Sequence, residues 1–292
     1  MIYIVGSLNM DLSIESPYIP AEGETVTGGG FMINPGGKGA NQAIACAKLG
    51  GKVKMLGAAG QDDFGKTLIE SLSSAGVDVS YIKKTKAAPT GVAVITVSGG
   101  NNRIILDKGA NACLEAEDID EFLLSARPGD IYLTQLENPI ETIGYGLKKA
   151  KEIGMYTILN PAPANKGIVP YLSYVDLITP NETEMAILGG KEKLFSAGIK
   201  KIVTTLGSKG YEIADEKSSK VYPCMKVKAV DTTAAGDTLC GGLAAGLSNG
   251  LTLEEACAFG SKAASVACTR KGAQQSVPTK EEVENYQIKG SK

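Results

Sequence analysis

From Glu115 to Thr205 the chain alternates between short apolar runs and amphipathic stretches of helical length. The pattern predicts helix 116–125 before strand 130–134 and helix 140–153 before strand 155–160. It then predicts strand 175–179 before helix 182–188, and a further strand at 201–205. Strands that alternate with helices pair in parallel, because each helix carries the chain back over one face of the sheet. Such crossovers are right-handed, so the strand C-termini and the loops after them collect along one edge. The expected fold class is α/β, a doubly wound and mostly parallel sheet. Residues 2–5 add a buried strand ending at Gly6, and residues 53–58 add another, followed by helix 64–75.

Residues 12–36 have a different character. Leu12 and Ile14, then Thr25-Val26-Thr27, alternate in polarity, but Pro17, Pro20 and Gly28-Gly29-Gly30 interrupt them. This reads as antiparallel ribbon, not a helical layer. Strands 91–97 and 103–107 flank Ser98-Gly99-Gly100-Asn101-Asn102, a hairpin signal. Together these stretches predict a small antiparallel β sheet outside the main layer. No repeat, low-complexity segment or linker divides the chain, so residues 1–292 are expected to form one domain.

The composition removes whole classes of chemistry. Histidine is absent, which excludes Ser-His-Asp and Cys-His mechanisms and every histidine metal site. Acid–base work falls to Asp, Glu, Lys, Tyr or Cys. The six cysteines, at 46, 113, 224, 240, 257 and 268, form no Cys-x-x-Cys pair and read as free thiols of a reducing compartment. A net charge of −2 and 5% aromatic residues argue against nucleic acid and anionic membrane surfaces as partners. Met1 runs at once into a strand, with no signal peptide or bilayer-length apolar run, so a cytoplasmic location is expected.

Chemistry-bearing residues gather at the predicted edge. Asn9 and Asp11 follow the first strand, as ligands of a polar molecule or as members of an Asx-type turn. Gly36-Gly37-Lys38-Gly39-Ala40-Asn41 opens helix 42–49. Glu137, Asn160, Asn181 and Glu184 follow later strands, and Asn181 with Glu184 also fits a capping box. An acidic and amide cluster there suits bound cations, most simply Mg²⁺.

A strand-like run over 222–230 leads into Asp231-Thr232-Thr233-Ala234-Ala235-Gly236-Asp237, which opens an apolar helix over 236–247. A helix start carries unpaired N–H groups and the positive end of the dipole, so it can hold an anion. Asp237 inside that first turn is a helix cap or a base for a hydroxyl attacking a bound phosphoryl group. Gly60-Gln61-Asp62-Asp63-Phe64-Gly65-Lys66-Thr67 matches the P-loop pattern, but Asp62 and Asp63 would face the phosphates. The better reading there is a plain helix start.

The motifs at 6–11, 34–42, 135–137, 160–164, 179–184, 205–210, 230–238 and 269–274 together resemble the ribokinase family, within the PfkB-type sugar and nucleoside kinases. Asp231-Thr232-Thr233-Ala234-Ala235-Gly236-Asp237 and Thr269-Arg270-Lys271-Gly272-Ala273-Gln274 carry most of that likeness. The resemblance implies ATP-dependent phosphorylation of D-ribose at O5, giving D-ribose 5-phosphate and ADP. A kinase for deoxyribose, another small sugar or a nucleoside is the alternative.

It implies sugar contacts from Asn9, Asp11, Gly37, Lys38, Gly39, Ala40, Asn41 and Glu137. Asp237 would be the base, and Ala234, Ala235 and Gly236 the anion hole. ATP would meet Asn181, Thr205, Leu206, Gly207, Ser208, Lys209, Gly210, Gly236, Asp237 and, weakly, Ser261, which stands where the family often has Asn. Glu184 would organise Mg²⁺ through water. K⁺ would lie near Asp231, Thr233, Ala267, Arg270, Gly272 and Ser276. Inserts at about 12–36 and 89–108 would form a lid that closes over the sugar and pairs two subunits into a homodimer. Between Leu188 and Lys201 the chain is about a dozen residues shorter than family members typically are, which leaves a reduced helix at 193–197.

Overall fold

The computed structural model describes residues 1–99 and 101–287; Gly100 of the expected hairpin turn lies outside the described residues. In chain order the strands are β1 (Ile2–Val5), β2 (Asn9–Glu15), β3 (Gly29–Gly36), β4 (Val53–Leu56), β5 (Ala58–Gly60), β6 (Lys83–Thr85), β7 (Gly91–Ser98) and β8 (Asn101–Asp107). They continue with β9 (Ile131–Thr134), β10 (Tyr156–Leu159), β11 (Leu177–Ile178), β12 (Lys201–Thr205), β13 (Tyr211–Ala214) and β14 (Ser219–Tyr222). The helices are α1 (Lys38–Lys48), α2 (Asp63–Ser74), α3 (Ala116–Leu123), α4 (Ile140–Ile153), α5 (Glu182–Ile187), α6 (Lys191–Ser196), α7 (Ala235–Ser248), α8 (Leu253–Ala267) and α9 (Lys280–Asn285).

The main sheet runs β14-β13-β12-β11-β10-β9-β1-β4. It is parallel from β4 to β12 and antiparallel at β13 and β14. Both faces are covered, which is why β1 is apolar at every position. Tyr3 and Val5 pack into a core with Phe122, Tyr132 and Leu147, on the side of α3 and α4. Ile2 and Ile4 point the other way, into a core with Ile44, Leu68 and Leu243, on the side of α1, α2 and α7. The mostly parallel doubly wound sheet is therefore as expected.

β1 lies between β4 and β9, so the strand order reverses beside it. At such a switch point neighbouring loops part and leave a crevice at the strand C-termini. The exits of β1 and β9 border it.

A second sheet has the order β3-β2-β7-β8. Its outer pairs are antiparallel and its central β2–β7 pair is parallel. Residues between Glu15 and Gly29 belong to no strand, so the expected ribbon is narrower than 12–36. Phe31, Met32, Ile33, Val94, Ile104 and Ile105 of this sheet are exposed.

The strand expected over 222–230 stops at Tyr222. Pro223 has no N–H to continue the ladder, and no strand is assigned from there to α7. The reduced outer helix expected at 193–197 is α6.

Candidate active site

The switch-point crevice is built by close backbone approach. The start of α1 nests against the exit of β1. A Cβ on Gly39 would overlap the backbone of Gly6 and Ser7, and Ala40 N donates to Ser7 O at 2.9 Å. Gly37, the residue before α1, has φ 89, and a Cβ there would lie 2.6 Å from Asn9 N. Glycine is required on both counts.

That docking aims the first turn of α1 at the first turn of α7. Asn41 Nδ2 donates to Asp237 Oδ2 at 3.0 Å, and Gln42 Nε2 donates to Asp237 Oδ1 at 2.9 Å. Gln135 Nε2, from the β9 exit, donates to Gln42 Oε1 at 2.7 Å and fixes which end of that amide faces Asp237. Asp237 is buried, yet its two oxygens receive only neutral amide donors here. Asn41 Oδ1 and Gln135 Oε1 are buried without a partner among the described residues. Buried polar atoms are rarely left unpaired, so these acceptors mark the crevice as a place for hydroxyl donors.

The opposite wall is centred on Glu137. Its carboxylate accepts from Ser7 Oγ, from Asn9 Nδ2 at 3.2 Å and from Lys38 N at 3.2 Å. Asn9 Oδ1 accepts from Asn111 Nδ2 at 2.8 Å, and Asn111 Oδ1 accepts from Leu8 N at 2.9 Å. Asp11 lies beside Gly36, where any side chain would overlap its carboxylate. Burial, then the charges of Glu137 and Asp237, push the Asp11 carboxyl up to about 7 against the pull of Lys38. For Lys38, burial acts downward, but Asp237, Glu137 and Glu184 outweigh it and hold the ammonium above its usual range.

The start of α7 is open. Ala234 has φ 58 and ψ 14, a left-handed conformation that costs a residue with a Cβ on the order of 1 kcal/mol. Thr238 N is bonded to Ala234 O at 2.8 Å, which leaves the N–H groups of Gly236 and Asp237 at the free end of the helix. Among the described residues nothing lies within 4 Å of a Cβ position on Gly236. The geometry fits an anion held by backbone donors, with Asp237 beside it.

The remaining predicted residues fall in three places. Asn181 and Glu184 form the capping box of α5: Asn181 N donates to Glu184 Oε2, and Glu184 N to Asn181 Oδ1, both at 2.8 Å. Burial raises the Glu184 carboxyl; the Asn181 N–H and Lys38 pull it back, and Asp237 adds to the rise. Thr205 ends β12 and bridges to Asn181, and Leu206–Gly210 make a tight turn closed by Leu206 N to Gly210 O at 2.9 Å. Ser261 is buried on α8.

The Asp231 loop and the turn after α8 are brought together. Asp231 Oδ1 accepts from Thr233 N and Oγ1, Oδ2 accepts from Gly272 N at 2.9 Å, and Val230 N donates to Cys268 O at 2.8 Å. Ala267 O accepts from Arg270 N at 2.9 Å, while the Arg270 guanidinium pairs with Glu282 at 2.7 Å, away from Asp231. Ser276 Oγ donates to Ala273 O at 2.8 Å. A cation here would rely on main-chain carbonyls around one anchored carboxylate. Among the described residues no group of three or more Asp, Glu, Cys or His side chains could hold a metal. A divalent ion here would have to take most of its ligands from water and phosphate oxygens, as Mg²⁺ usually does.

The P-loop match is a helix cap. Asp62 caps α2, accepting from Gly65 N at 2.8 Å, and also accepts from Thr90 N at 2.8 Å and Thr90 Oγ1 at 2.6 Å. Those hydrogen bonds hold its carboxyl below the usual range against the opposing effect of burial, the largest single influence. A negative charge fixed at the helix start leaves no phosphate cradle.

Sequence reasoning did not single out Ser7, Gln42, Gln135 and Asn111 as site residues. Ser7, Gln42 and Gln135 lie inside the motifs at 6–11, 34–42 and 135–137, so their positions carried a signal. Asn111 sits in a short 3-10 turn after β8 and carried none.

Residues 1–280 match the family described as pfkB family carbohydrate kinase. The chain belongs to this family. Among pfkB relatives it is similar to the ribokinase of Haemophilus influenzae, 38% identical over 96% of this chain and 95% of that protein. It is also similar to the deoxyribokinase of Salmonella typhi, 35% identical over 98% of both. The crystal structure of the Thermotoga maritima ribokinase superposes with a TM-score of 0.86, at 40% identity, over 97% of this chain and 98% of that one. The pfkB fold is thus shared at full length.

Proposed function

We propose that this chain is a ribokinase: it transfers the γ-phosphoryl group of ATP to O5 of D-ribose, giving D-ribose 5-phosphate and ADP. The observation that carries the reading is Asp237, buried, held by the Asn41 and Gln42 amides, and placed beside the open start of α7. Likeness to ribokinases at up to 40% identity supports ribose as the acceptor. The 35% likeness to a deoxyribokinase keeps 2-deoxyribose as the alternative.

In this mechanism Asn9, Asp11, the Gly37–Asn41 segment and Glu137 hold the sugar hydroxyls. The 5-hydroxyl donates to Asp237 and attacks the γ-phosphorus in line. The O5–P bond forms, the bond to the β-bridging oxygen breaks, and Asp237 takes the hydroxyl proton. The backbone from Ala234 to Gly236 faces the developing negative charge. Asn181, the Thr205–Gly210 turn and Ser261 line the ATP site. Glu184 would organise Mg²⁺ through water, and the ion would supply charge neutralisation on the phosphates. Asp231, Thr233, Ala267, Arg270, Gly272 and Ser276 would hold K⁺, whose charge would steady the loop before α7.

Residues 1–292 are read as one domain, with inserts near 12–36 and 89–108 forming the lid. The exposed apolar residues Phe31, Met32, Ile33, Ile104 and Ile105 support pairing of two lids in a homodimer. Free cysteines support a cytoplasmic setting.

The test is ADP release from MgATP with D-ribose, 2-deoxyribose and a nucleoside, in K⁺ and then in Na⁺. The reading requires ribose to have the highest kcat/KM; a preference for deoxyribose replaces it with the alternative. Loss of the K⁺ effect alone removes the cation site and keeps the kinase.

Two further outcomes follow. Gly236→Ala places a methyl where the phosphoryl group belongs but where the fold has room. Its kcat falls at least about tenfold, while its melting temperature holds or rises because alanine favours a helix by up to about 1 kcal/mol. Ionised Asp11 is the stronger acceptor for a sugar hydroxyl, and burial with the Glu137 and Asp237 charges pushes its carboxyl up to about 7. KM for ribose is therefore expected to rise as pH falls from 8 to 6, by up to about tenfold for one such group. In Asp11→Asn the KM is high and flat with pH.

A further inference from the structure

Asn111 is a buried amide, 1% exposed, in the short 3-10 turn Gly109–Cys113 that follows β8. An amide is costly to bury unless its donors and its acceptor are met, and here each is met. Nδ2 donates to Leu8 O at 2.9 Å and to Asn9 Oδ1 at 2.8 Å, while Oδ1 accepts from Leu8 N at 2.9 Å. The turn that carries it is fixed in its own right. Ala110 N donates to Pro89 O at 2.7 Å, Asn111 N donates to Lys108 O at 2.9 Å, and Asn111 O accepts from Asn138 Nδ2 at 3.2 Å.

The backbone decides which way round this amide sits. Leu8 N can only donate and Leu8 O can only accept, so Asn111 must turn Oδ1 to the one and Nδ2 to the other. Its second N–H is thereby delivered to Asn9, whose amide must answer with Oδ1. Asn9 Nδ2 then faces Glu137 Oε2 at 3.2 Å. The reverse setting of Asn9 would oppose N–H to N–H on one side and oxygen to carboxylate oxygen on the other. Gly91, the register partner of Asn9 on β7, keeps room for the bond: a Cβ there would overlap both Asn9 Oδ1 and Asn111 Nδ2. Asn9 Nδ2 has two hydrogens, and among the described residues Glu137 is its acceptor, so one N–H remains for a ligand hydroxyl.

We propose that Asn111 is a positioning residue for the sugar: it holds the Asn9 amide, and through it the Glu137 carboxylate, in the setting that binds sugar hydroxyls, without touching the substrate itself. The proposal rests on the kinase reading and adds a residue that acts one step behind the sugar contacts. Its effect falls on sugar affinity. Asp237 takes its amide bonds from Asn41 and Gln42 on the opposite wall, so the base keeps its setting when Asn111 is changed.

The experiment is calorimetric titration of D-ribose and 2-deoxyribose into wild type, Asn111→Ala, Asn9→Ala and the double variant, beside kcat, KM for sugar and ATP, and melting temperatures. Asn111→Ala is expected to weaken the preferred sugar by about tenfold, with kcat and KM for ATP within about twofold of wild type. Added to Asn9→Ala, it changes sugar affinity by less than about twofold, because the group it holds is gone. Asn111→Ser, whose short hydroxyl keeps a polar partner for the Leu8 backbone but stops short of Asn9, gives the same loss with a smaller demand on the fold. Unchanged sugar affinity in folded Asn111→Ala or Asn111→Ser overturns the proposal. So does a double variant in which the two losses multiply, since Asn111 would then act by holding Leu8 alone. A wild type that binds neither sugar sinks the kinase reading for these sugars and the proposal with it, whereas sugar binding that survives every change at Asn111 sinks the proposal and keeps the kinase.

Discussion

Asp237→Asn is expected to lower kcat by at least about 10²-fold, the usual scale for loss of a positioned base. The effect is expected mainly on turnover, because in the proposed mechanism the sugar would be held largely by Asn9, Asp11 and Glu137 from other elements. The substitution also has a local cost. Both Asp237 oxygens accept amide protons, at 3.0 Å from Asn41 and 2.9 Å from Gln42. The introduced amide nitrogen must face one of those donors, and an unmade buried hydrogen bond costs about 1–3 kcal/mol. Thermal melting must therefore accompany the kinetics. A folded variant with near-normal kcat would remove Asp237 from the role of base; a folded variant with unchanged ribose affinity and collapsed turnover would place it there.

Gly39→Ala should produce the largest loss of stability. In an exposed helix the exchange is favourable by about 1 kcal/mol. Here the new methyl overlaps the backbone of Gly6 and Ser7, and neither can rotate away as a side chain could. Overpacking of this kind costs about 1–3 kcal/mol and sometimes more, and backbone on both sides puts it at the upper end. The denaturant midpoint should drop with an unchanged slope. Displacing α1 also moves Asn41 and Gln42, so residual activity should fall further than the fraction of folded protein. A variant as stable as the parent would mean that α1 does not dock on β1 through this contact. The contrast with Gly236→Ala is instructive: one glycine admits a neighbour that is part of the fold, the other keeps space for something that is not.

The main sheet was legible because its cause is local. Alternating apolar runs and amphipathic stretches specify βα units, and right-handed crossovers place the loops without knowledge of any contact. The Gly-rich starts of α1 and α7 were legible for the same reason. The end of β14 was misjudged because the polarity pattern continued past Pro223, although proline ends a ladder for want of an N–H. The parallel β2–β7 pair was not legible, since pairing between strands ~80 residues apart depends on what lies between them. Asn111 shows the other limit. Nothing near it in sequence announces that its amide will meet Leu8 and Asn9, from a segment about 100 residues earlier. Asp62 shows the converse: a pattern with the right letters was rightly set aside on its chemistry, and the side chain does cap the helix start.

The turn after α8 grips two things at once. Gly272 N holds Asp231 at 2.9 Å, while two residues on Gln274 reaches Gly36 O at 3.4 Å and Gln275 reaches Asn34 at 3.3 Å. Ser71 and Lys48 brace the same turn from α2 and α1. The root of the small sheet and the loop before α7 are thus fastened to one short rigid piece. Any coupling through that piece is reciprocal: if tightening the loop before α7 favours one setting of the small sheet, holding that setting tightens the loop by the same free energy. For the proposed K⁺ and ribose sites the expected result of such coupling is that each ligand sharpens the other's equilibrium affinity by an equal factor, before any phosphate has moved.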